Sequence, residues 1–114
     1  RLAADFGCAA AGMDELAKVS AKLLVNCTSI GMHPNVDATP VQIEQLREDM
    51  AVFDTVYNPM ETLLLIQARE VGAKTIDGVS MFINQAAAQF KLFAGRAADT
   101  ELMRRIVCDC LSSK

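Results

Sequence analysis

One stretch limits the possible folds more than any other: residues 77–95, which read DGVSMFINQAAAQFKLFAG. Ser80 is predicted to be the N-cap of a helix, because its hydroxyl can accept a hydrogen bond from a free backbone N–H in the first turn. Gly95 suits the left-handed position that follows a last helical turn. Between these ends, apolar residues recur at helical spacing and predict one apolar face: Phe82, Ala86, Phe90 and Phe93. The stretch is therefore predicted to form a long helix that packs through this face.

Gln85 stands out in this helix as an amide among small and apolar residues, about one turn from the predicted start. A buried amide needs hydrogen-bond partners, so either the protein or a ligand must supply them. Gln85 is thus a candidate binding residue on chemical grounds.

Composition narrows the class of protein. The chain has 114 residues, of which 52% are hydrophobic and 22% charged, which is typical of one domain, or part of one, with a packed core. The net charge of −3 and the lack of a Lys/Arg run argue against a nucleic-acid partner. No apolar run reaches the ~18 residues of a membrane span, and no signal-peptide pattern is present. We expect a cytoplasmic protein, or a plastid one in a plant.

The cysteines indicate a reducing compartment rather than a metal site. Cys8, Cys27, Cys108 and Cys110 lack zinc-type spacing, and His33 is the single histidine. Free cysteines are commonly buried, so we expect mostly buried thiols and no bound metal.

Strand-like and helix-like segments alternate along the chain. After a helix end over residues 1–6, stopped by Gly7, we expect an edge strand over 8–11 and a short helix from 14. The predicted strands cover residues 23–27, 51–57 and 75–77, and the predicted helices cover 41–46, 62–71, 80–95 and 99–110. This βαβαβαα order predicts an α/β fold with a doubly wound parallel sheet that ends in two consecutive helices.

Two of these segments carry further expectations. The compact apolar run at 23–27 predicts a strand buried on both faces. In the last helix, Leu102, Ile106 and Val107 are expected to point inward, and Arg104 and Arg105 outward. Because no strand separates it from the preceding helix, this last helix is expected to pack on something outside the chain.

The loop after the first long strand, residues 28–34, is rich in hydroxyl residues, Gly and Pro. It lies at the carboxyl end of a predicted strand, the edge at which open α/β sheets bind ligands. Its hydroxyls and backbone N–H groups could meet a phosphate, a ribose or a carboxamide. The alternative is an ordinary turn that satisfies its own backbone.

Three motifs in this order and spacing closely resemble the shikimate dehydrogenase family: NCTSIGMHPN, DTVYNPMETLLL and DGVSMFINQAAAQFKLFAG. The run MHPNVDATP is most similar to the forms fused to a 3-dehydroquinate dehydratase. The resemblance implies that residues 1–95 are the later part of a Rossmann-like NADP-binding domain. It also implies that residues 96–114 form a helix packing back on a missing N-terminal substrate domain.

The resemblance assigns roles to single residues. Tyr57 and Gln85 match the residues through which this domain binds shikimate. The positions that match the NADP site are Arg1, for the 2′-phosphate, and Asn26, Thr28, Ser29, Thr55, Gly78 and Met81, for the ribose and nicotinamide. The alternatives are a solvated Arg1, a Met81 that only fills the core, a Tyr57 on the rim and a Gln85 satisfied within the protein. His33 has no catalytic counterpart in the family.

The activity implied is the NADP-dependent, reversible reduction of 3-dehydroshikimate to shikimate, in aromatic amino acid biosynthesis. The family's catalytic Lys and Asp and its glycine-rich pyrophosphate turn have no match in these residues. We therefore expect a fragment that is inactive alone. Two alternatives stay open: a quinate dehydrogenase, and a non-catalytic nucleotide-binding or interaction module.

Overall fold

A parallel sheet of three strands forms the centre of the protein. The structure, a computed structural model, describes residues 1–112 apart from the side chain of residue 17. The strands β1 (Leu23–Asn26), β2 (Ala51–Asp54) and β3 (Lys74–Ile76) lie side by side in the order β1-β2-β3. All neighbouring pairs are parallel, with Asn26 opposite Asp54 in the register. The predicted parallel α/β architecture is therefore confirmed.

Over residues 1–112, four α-helices accompany the sheet: α1 (Leu2–Phe6), α2 (Leu63–Glu70), α3 (Gly78–Ala94) and α4 (Thr100–Ser112). Thr62 caps α2 by accepting a hydrogen bond from the Leu65 N–H at 3.4 Å, and Asp99 accepts one from the Leu102 N–H at 2.9 Å before α4. Gly7 and Gly95 end α1 and α3 in the left-handed conformation, as predicted.

Three local predictions are wrong. Residues 8–11 form no strand and are exposed, and residues 41–46 contain only a single 3-10 turn, Ile43–Gln45. The cap of α3 is Asp77 and not Ser80, because the Asp77 carboxylate accepts the Ser80 N–H at 2.7 Å. The helix can begin three residues earlier than expected, since Gly78 and Val79 both adopt helical geometry.

The burial of β1 also differs from the expectation. Leu23 is 52% exposed and Val25 38% exposed, whereas Val52 in the middle strand is fully buried. Leu23 and Val25 point to the same face of the sheet, because alternate residues of a strand share a face. A run predicted to be buried on both faces is thus open on one of them.

The core lies between the sheet and α2. Its buried side chains form one cluster, made of Val41, Leu46, Met50, Val52, Leu64, Ala68 and Ala73. α2 contacts both β2 and β3, so its buried residues hold it against this sheet face. Thr62 and Asp54 are also fully buried, beside this cluster at the carboxyl end of β2.

α3 and α4 pack against each other, but their apolar faces are only partly covered. Val79 and Ile83 are the buried apolar residues of α3, while Phe93 is 90% exposed. The prediction that the helix packs through the face from Phe82 to Phe93 is therefore wrong at the C-terminal end of that face. In α4, Leu102 and Ile106 are 41% and 52% exposed, so neither is buried as predicted.

Membrane and metal features can be checked over residues 1–112. None of the helices in that range is long and apolar enough to cross a bilayer, and no group of three or more potential ligand side chains there could hold a metal ion. The cysteines are free: Cys8, Cys27 and Cys110 are exposed, and Cys108 is half-buried. The prediction of mostly buried thiols is wrong, because the exposed ones lie in loops and on the outer side of α4.

Candidate functional site

A cleft of about 410 Å³ opens at the carboxyl ends of β1 and β2. It lies where the loop composition predicted a ligand edge. Its walls are the loops that follow the two strands, with these lining residues: Cys27, Thr28, Ser29, Met32, His33, Thr55, Val56, Tyr57 and Asn58. The exposed lining is more apolar than polar, and the hydroxyls of Thr28, Ser29 and Tyr57 supply groups that can bind the polar parts of a ligand.

A buried carboxylate supports the cleft from behind. Asp54 is fully buried at the end of β2, and its Oδ1 accepts hydrogen bonds from the Asn26 Nδ2 and the Val56 N–H, both at 3.0 Å. Its Oδ2 accepts one from the Thr62 hydroxyl at 2.6 Å. Asp54 therefore links the ends of β1 and β2 to the start of α2. We did not single it out from the sequence; the available signal was an Asp and an Asn, each ending an apolar run.

Asn26 positions the first loop rather than the ligand. Its Nδ2 donates to Asp54 and to the Ile30 carbonyl at 3.2 Å, and its Oδ1 accepts from the Thr28 N–H at 3.0 Å and the Thr28 hydroxyl at 2.7 Å. These bonds use the amide's full capacity of two donors and two acceptor sites. Asn26 is 4% exposed, so its effect on the cleft passes through Thr28.

The two loops are also bonded to each other. The Thr55 N–H and hydroxyl both donate to the Asn26 carbonyl, at 3.1 and 2.8 Å. Farther out, the His33 N–H donates to the Asn58 carbonyl at 3.0 Å. The walls of the cleft therefore hold a defined separation. The bond from His33 is made by its backbone, and its exposed side chain borders the cleft.

Gly78 lies where the first turn of α3 meets the backbone after β2. A Cβ built on Gly78 would overlap the Val56 carbonyl oxygen and lie 2.8 Å from the Thr55 carbonyl oxygen. Only glycine fits this approach. The resemblance implied a glycine that makes room for nicotinamide, and the structure shows one that makes room for the main chain. Met81, one turn later, is half-buried and does not line the cleft.

Tyr57 and Gln85 each contact a different group of Phe82. Tyr57 is 41% exposed at the cleft, and its ring stacks on Phe82 with 4.9 Å between centroids and 26° between planes. The Gln85 Nε2 donates to the Phe82 carbonyl at 3.0 Å, and its Oε1 accepts from the Gln89 Nε2 at 2.9 Å. Gln85 is exposed, so the premise of a buried amide is wrong. Its contacts lie within its own helix.

The remaining predicted site residues lie apart from these contacts. Ser29 is exposed in the cleft wall. Arg1 is exposed at the N-cap position of α1 and is not part of the cleft lining. The geometry thus brings together the residues after β1 and β2 but not Arg1.

The start of α3 carries a polar cluster. Asp77 accepts hydrogen bonds from the Ser80 N–H at 2.7 Å and the Ser80 hydroxyl at 2.9 Å, and Arg104 donates to that hydroxyl at 2.6 Å. Arg104, predicted to point outward, thus reaches across from α4 to α3. Burial raises the pKa of Asp77, but the bonds from Ser80 and the charge of Arg104 outweigh burial and lower the pKa below its ordinary value.

This shift predicts an acid-dependent contribution to stability. Because the folded pKa of Asp77 is lowered, the ionised carboxylate stabilises the fold above its ordinary pKa, and this contribution is lost as the pH falls through the lowered value. In urea unfolding of the full-length protein, Asp77→Asn should lower the free energy of unfolding by a constant amount near neutral pH. Below roughly pH 4, the difference between the variant and the wild type should shrink. Asp37→Asn, at an exposed loop position, is the control. A deficit that does not depend on pH would contradict the shift.

Part of this chain matches a known protein family, and most of it is similar in sequence to known proteins. Residues 78–108 match the family described as the shikimate 5′-dehydrogenase C-terminal domain. The shikimate dehydrogenase (NADP(+)) of Methanosarcina mazei is 47% identical over 107 residues, which are 94% of this chain and 38% of that protein. The chain is similar to the C-terminal part of shikimate dehydrogenases.

Solved structures extend this similarity to the fold. Shikimate dehydrogenase from Thermus thermophilus, in complex with NADP(H) and shikimate, matches with a TM-score of 0.83 and 32% identity over 95% of this chain and 40% of that chain. Quinate dehydrogenase from Corynebacterium glutamicum, in complex with NAD, matches with a TM-score of 0.78 and 35% identity over 91% and 38% of the two chains. These matches confirm the Rossmann-like fold. The chain spans less than half the length of each relative.

Proposed function

We propose that this chain is the C-terminal part of an NADP-dependent shikimate dehydrogenase, which reversibly reduces 3-dehydroshikimate to shikimate in aromatic amino acid biosynthesis. The observation that carries the proposal is the cleft at the carboxyl ends of β1 and β2, lined by the Thr28, Ser29 and Tyr57 side chains, in a fold shared with a shikimate dehydrogenase that holds NADP(H) and shikimate. NADPH, when bound, supplies the hydride for the carbonyl carbon of the substrate. The residues of this chain orient the two reactants.

The loops fit a nicotinamide nucleotide in their chemistry. Thr28 and Ser29 present hydroxyls at the cleft, and Asn26 holds Thr28 in place. The backbone of Thr55 forms the facing wall, against which Gly78 packs. We assign Thr28, Ser29 and Thr55, which line the cleft, to contact with the ribose and nicotinamide. Asn26 and Gly78 serve the same site by shaping its walls, and Met81 is assigned to it on the resemblance alone. Arg1 is assigned to the 2′-phosphate, for which a guanidinium is well suited.

Tyr57 and Gln85 are the proposed shikimate ligands. Within residues 1–112 the Tyr57 hydroxyl has no hydrogen-bond partner, although the ring is only partly exposed. The Gln85 amide uses one of its two N–H groups on the Phe82 carbonyl, which leaves the other for a substrate oxygen. Both groups can bind the hydroxyls or the carboxylate of shikimate.

The domain assignment is also part of the proposal. Residues 1–95 would belong to the NADP-binding domain, and 96–114 would pack back on an N-terminal domain that supplies the catalytic Lys and Asp. The exposed Phe93 and Ile106 support this, because large apolar side chains left open favour a covering surface. Residues 113–114 lie outside the described residues. A fused dehydratase, expected from the sequence, would appear in the intact mass of the native protein. A cytoplasmic or plastid location is likewise expected, and cell fractionation would test it.

Quinate dehydrogenase is the second candidate. It is favoured by the 35% identity to the Corynebacterium glutamicum enzyme. Quinate and shikimate share most of their hydroxyls, so the contacts of Tyr57 and Gln85 serve either substrate. Parallel assays of the full-length protein with shikimate and quinate decide between them. A non-catalytic module would bind NADP without any oxidation of NADPH by 3-dehydroshikimate, and that result would overturn the proposed function.

The assigned role of Gln85 predicts a selective kinetic effect. In the full-length enzyme, Gln85→Ala should raise KM for shikimate about 10-fold, the size expected for one hydrogen bond to a polar or charged group. KM for NADP should stay nearly unchanged. Asn84→Ala is the matched control, because Asn84 is an exposed amide residue of the same helix turn. An equal rise in both constants would contradict the substrate role of Gln85.

A further inference from the structure

We propose that Phe82 is a positioning residue of the shikimate site, because its ring sets the orientation of Tyr57 and so the place of the phenol hydroxyl. The inference rests on the proposed function and deepens it. From helical spacing alone, Phe82 is predicted only to lie on an apolar helix face.

The first support is the geometry of the stack. The two rings have centroids 4.9 Å apart and planes 26° apart, a geometry in which aromatic pairs attract each other beyond the effect of burial alone. Tyr57 lies in the loop three residues beyond β2 and is 41% exposed. A loop side chain with this exposure has several rotamers open to it. The contact with Phe82 selects one of them.

The second support is the attachment of Phe82 itself. It lies in the second turn of α3, is half-buried and borders an apolar groove between α3 and α4, together with Ile83, Ala86, Met103, Ile106 and Val107. Because α3 packs against α4, the backbone that carries the Phe82 ring belongs to a packed helix. Tyr57 is oriented by a rigid element although it belongs to a loop.

The third support is that Phe82 contacts both proposed shikimate ligands. Its ring stacks on Tyr57, and its carbonyl accepts the Gln85 amide N–H at 3.0 Å. The ring and the carbonyl act independently, so a change of side chain removes only the contact with Tyr57. The kinetic effect of such a change should therefore pass through Tyr57.

The test is a set of substitutions in the full-length enzyme. Phe82→Leu keeps an apolar side chain against the groove but removes the stack, and it should raise KM for shikimate about 3- to 10-fold. KM for NADP and kcat should change by less than about 2-fold, since aromatic pairing does not enter those steps. Phe82→Tyr keeps the stack, so its KM for shikimate should stay close to that of the wild-type enzyme. Phe90→Leu is the control, because Phe90 lies two turns later on α3 and contacts Arg96 at 5.7 Å.

A second measurement follows the Tyr57 ring directly. In protein labelled with ¹³C-tyrosine, the Tyr57 ring signal is the one that Tyr57→Phe removes. Loss of the Phe82 ring current should shift that signal in Phe82→Leu and leave it in place in Phe90→Leu. An unshifted signal would overturn the stack, and a shifted signal with an unchanged KM for shikimate would overturn the positioning role. If the wild-type enzyme does not reduce 3-dehydroshikimate, that result overturns the proposed function. It then also overturns the role of Phe82 in a shikimate site.

Discussion

Gly78→Ala is expected to destabilise the full-length protein by about 3 kcal/mol or more, at the upper end of the cost of overpacking. The added Cβ would overlap the Val56 carbonyl oxygen and lie 2.8 Å from that of Thr55. Neither carbonyl can retreat easily, because the Thr55 N–H is bonded to the Asn26 carbonyl and the Val56 N–H to Asp54. The strain must then move the first turn of α3 away from the cleft.

Urea unfolding, with Gly95→Ala as the matched control, checks this expectation. Gly95 has a φ of +68° and no neighbouring atom within 4 Å of a built Cβ. Its substitution adds only the strain of a left-handed backbone, about 1 kcal/mol. If the two substitutions cost the same, the close approach at Gly78 does not limit the fold.

Asp54→Ala is the second change with a large expected effect, a loss of about 4 kcal/mol. It would leave three buried donors without their acceptor: the Asn26 amide, the Val56 N–H and the Thr62 hydroxyl. Asp54→Asn should cost less, because its carbonyl can still accept from Asn26 and Val56, and only the Thr62 hydroxyl loses the acceptor of its proton.

The midpoint and slope of urea unfolding measure both changes, and Asp49→Ala is the control. Asp49 pairs with Lys22 at 2.6 Å and with Arg47 at 3.0 Å, so it has two ionic partners, yet it is exposed. Exposed ion pairs contribute little, so this substitution should have a small effect. A loss as large as that of Asp54→Ala would show that burial is not what makes the Asp54 contacts important.

The order of the elements could be predicted, whereas their ends could not. Apolar runs placed all three strands, because buried strands need such runs. β2 ends at Asp54 rather than at residue 57, since Val56 turns to bond the Asp54 side chain. Asp and Ser are about equally favoured at the N-cap of a helix, so residue type does not decide between Asp77 and Ser80. The start of α3 depends on the fit of Gly78 against the backbone after β2, a contact between residues far apart in sequence.

In the candidate site, too, the sequence predicts some residues that line the cleft but not the contacts that support them. The polar loop after β1 and Tyr57 could be found from motifs, and both line the cleft. The supporting contacts, from Asp54 to Thr62 and from Phe82 to Tyr57, depend on side-chain positions that no local pattern contains. Helical spacing finds an apolar face but not what covers it, which is why Phe93 was expected to pack and is 90% exposed. The ligand roles of the cleft residues remain predictions.

The contact between Gly78 and the backbone after β2 has a consequence for how this protein can vary. At that point the main chain of Thr55 and Val56 meets a residue with no side chain, so the depth of the cleft there depends on glycine at position 78. Thr55 and Val56 are themselves restricted, the first by its hydroxyl bond to the Asn26 carbonyl and the second by its burial. A change of ligand preference must instead arise at the few side chains that project into the cleft, such as Tyr57 and Thr28.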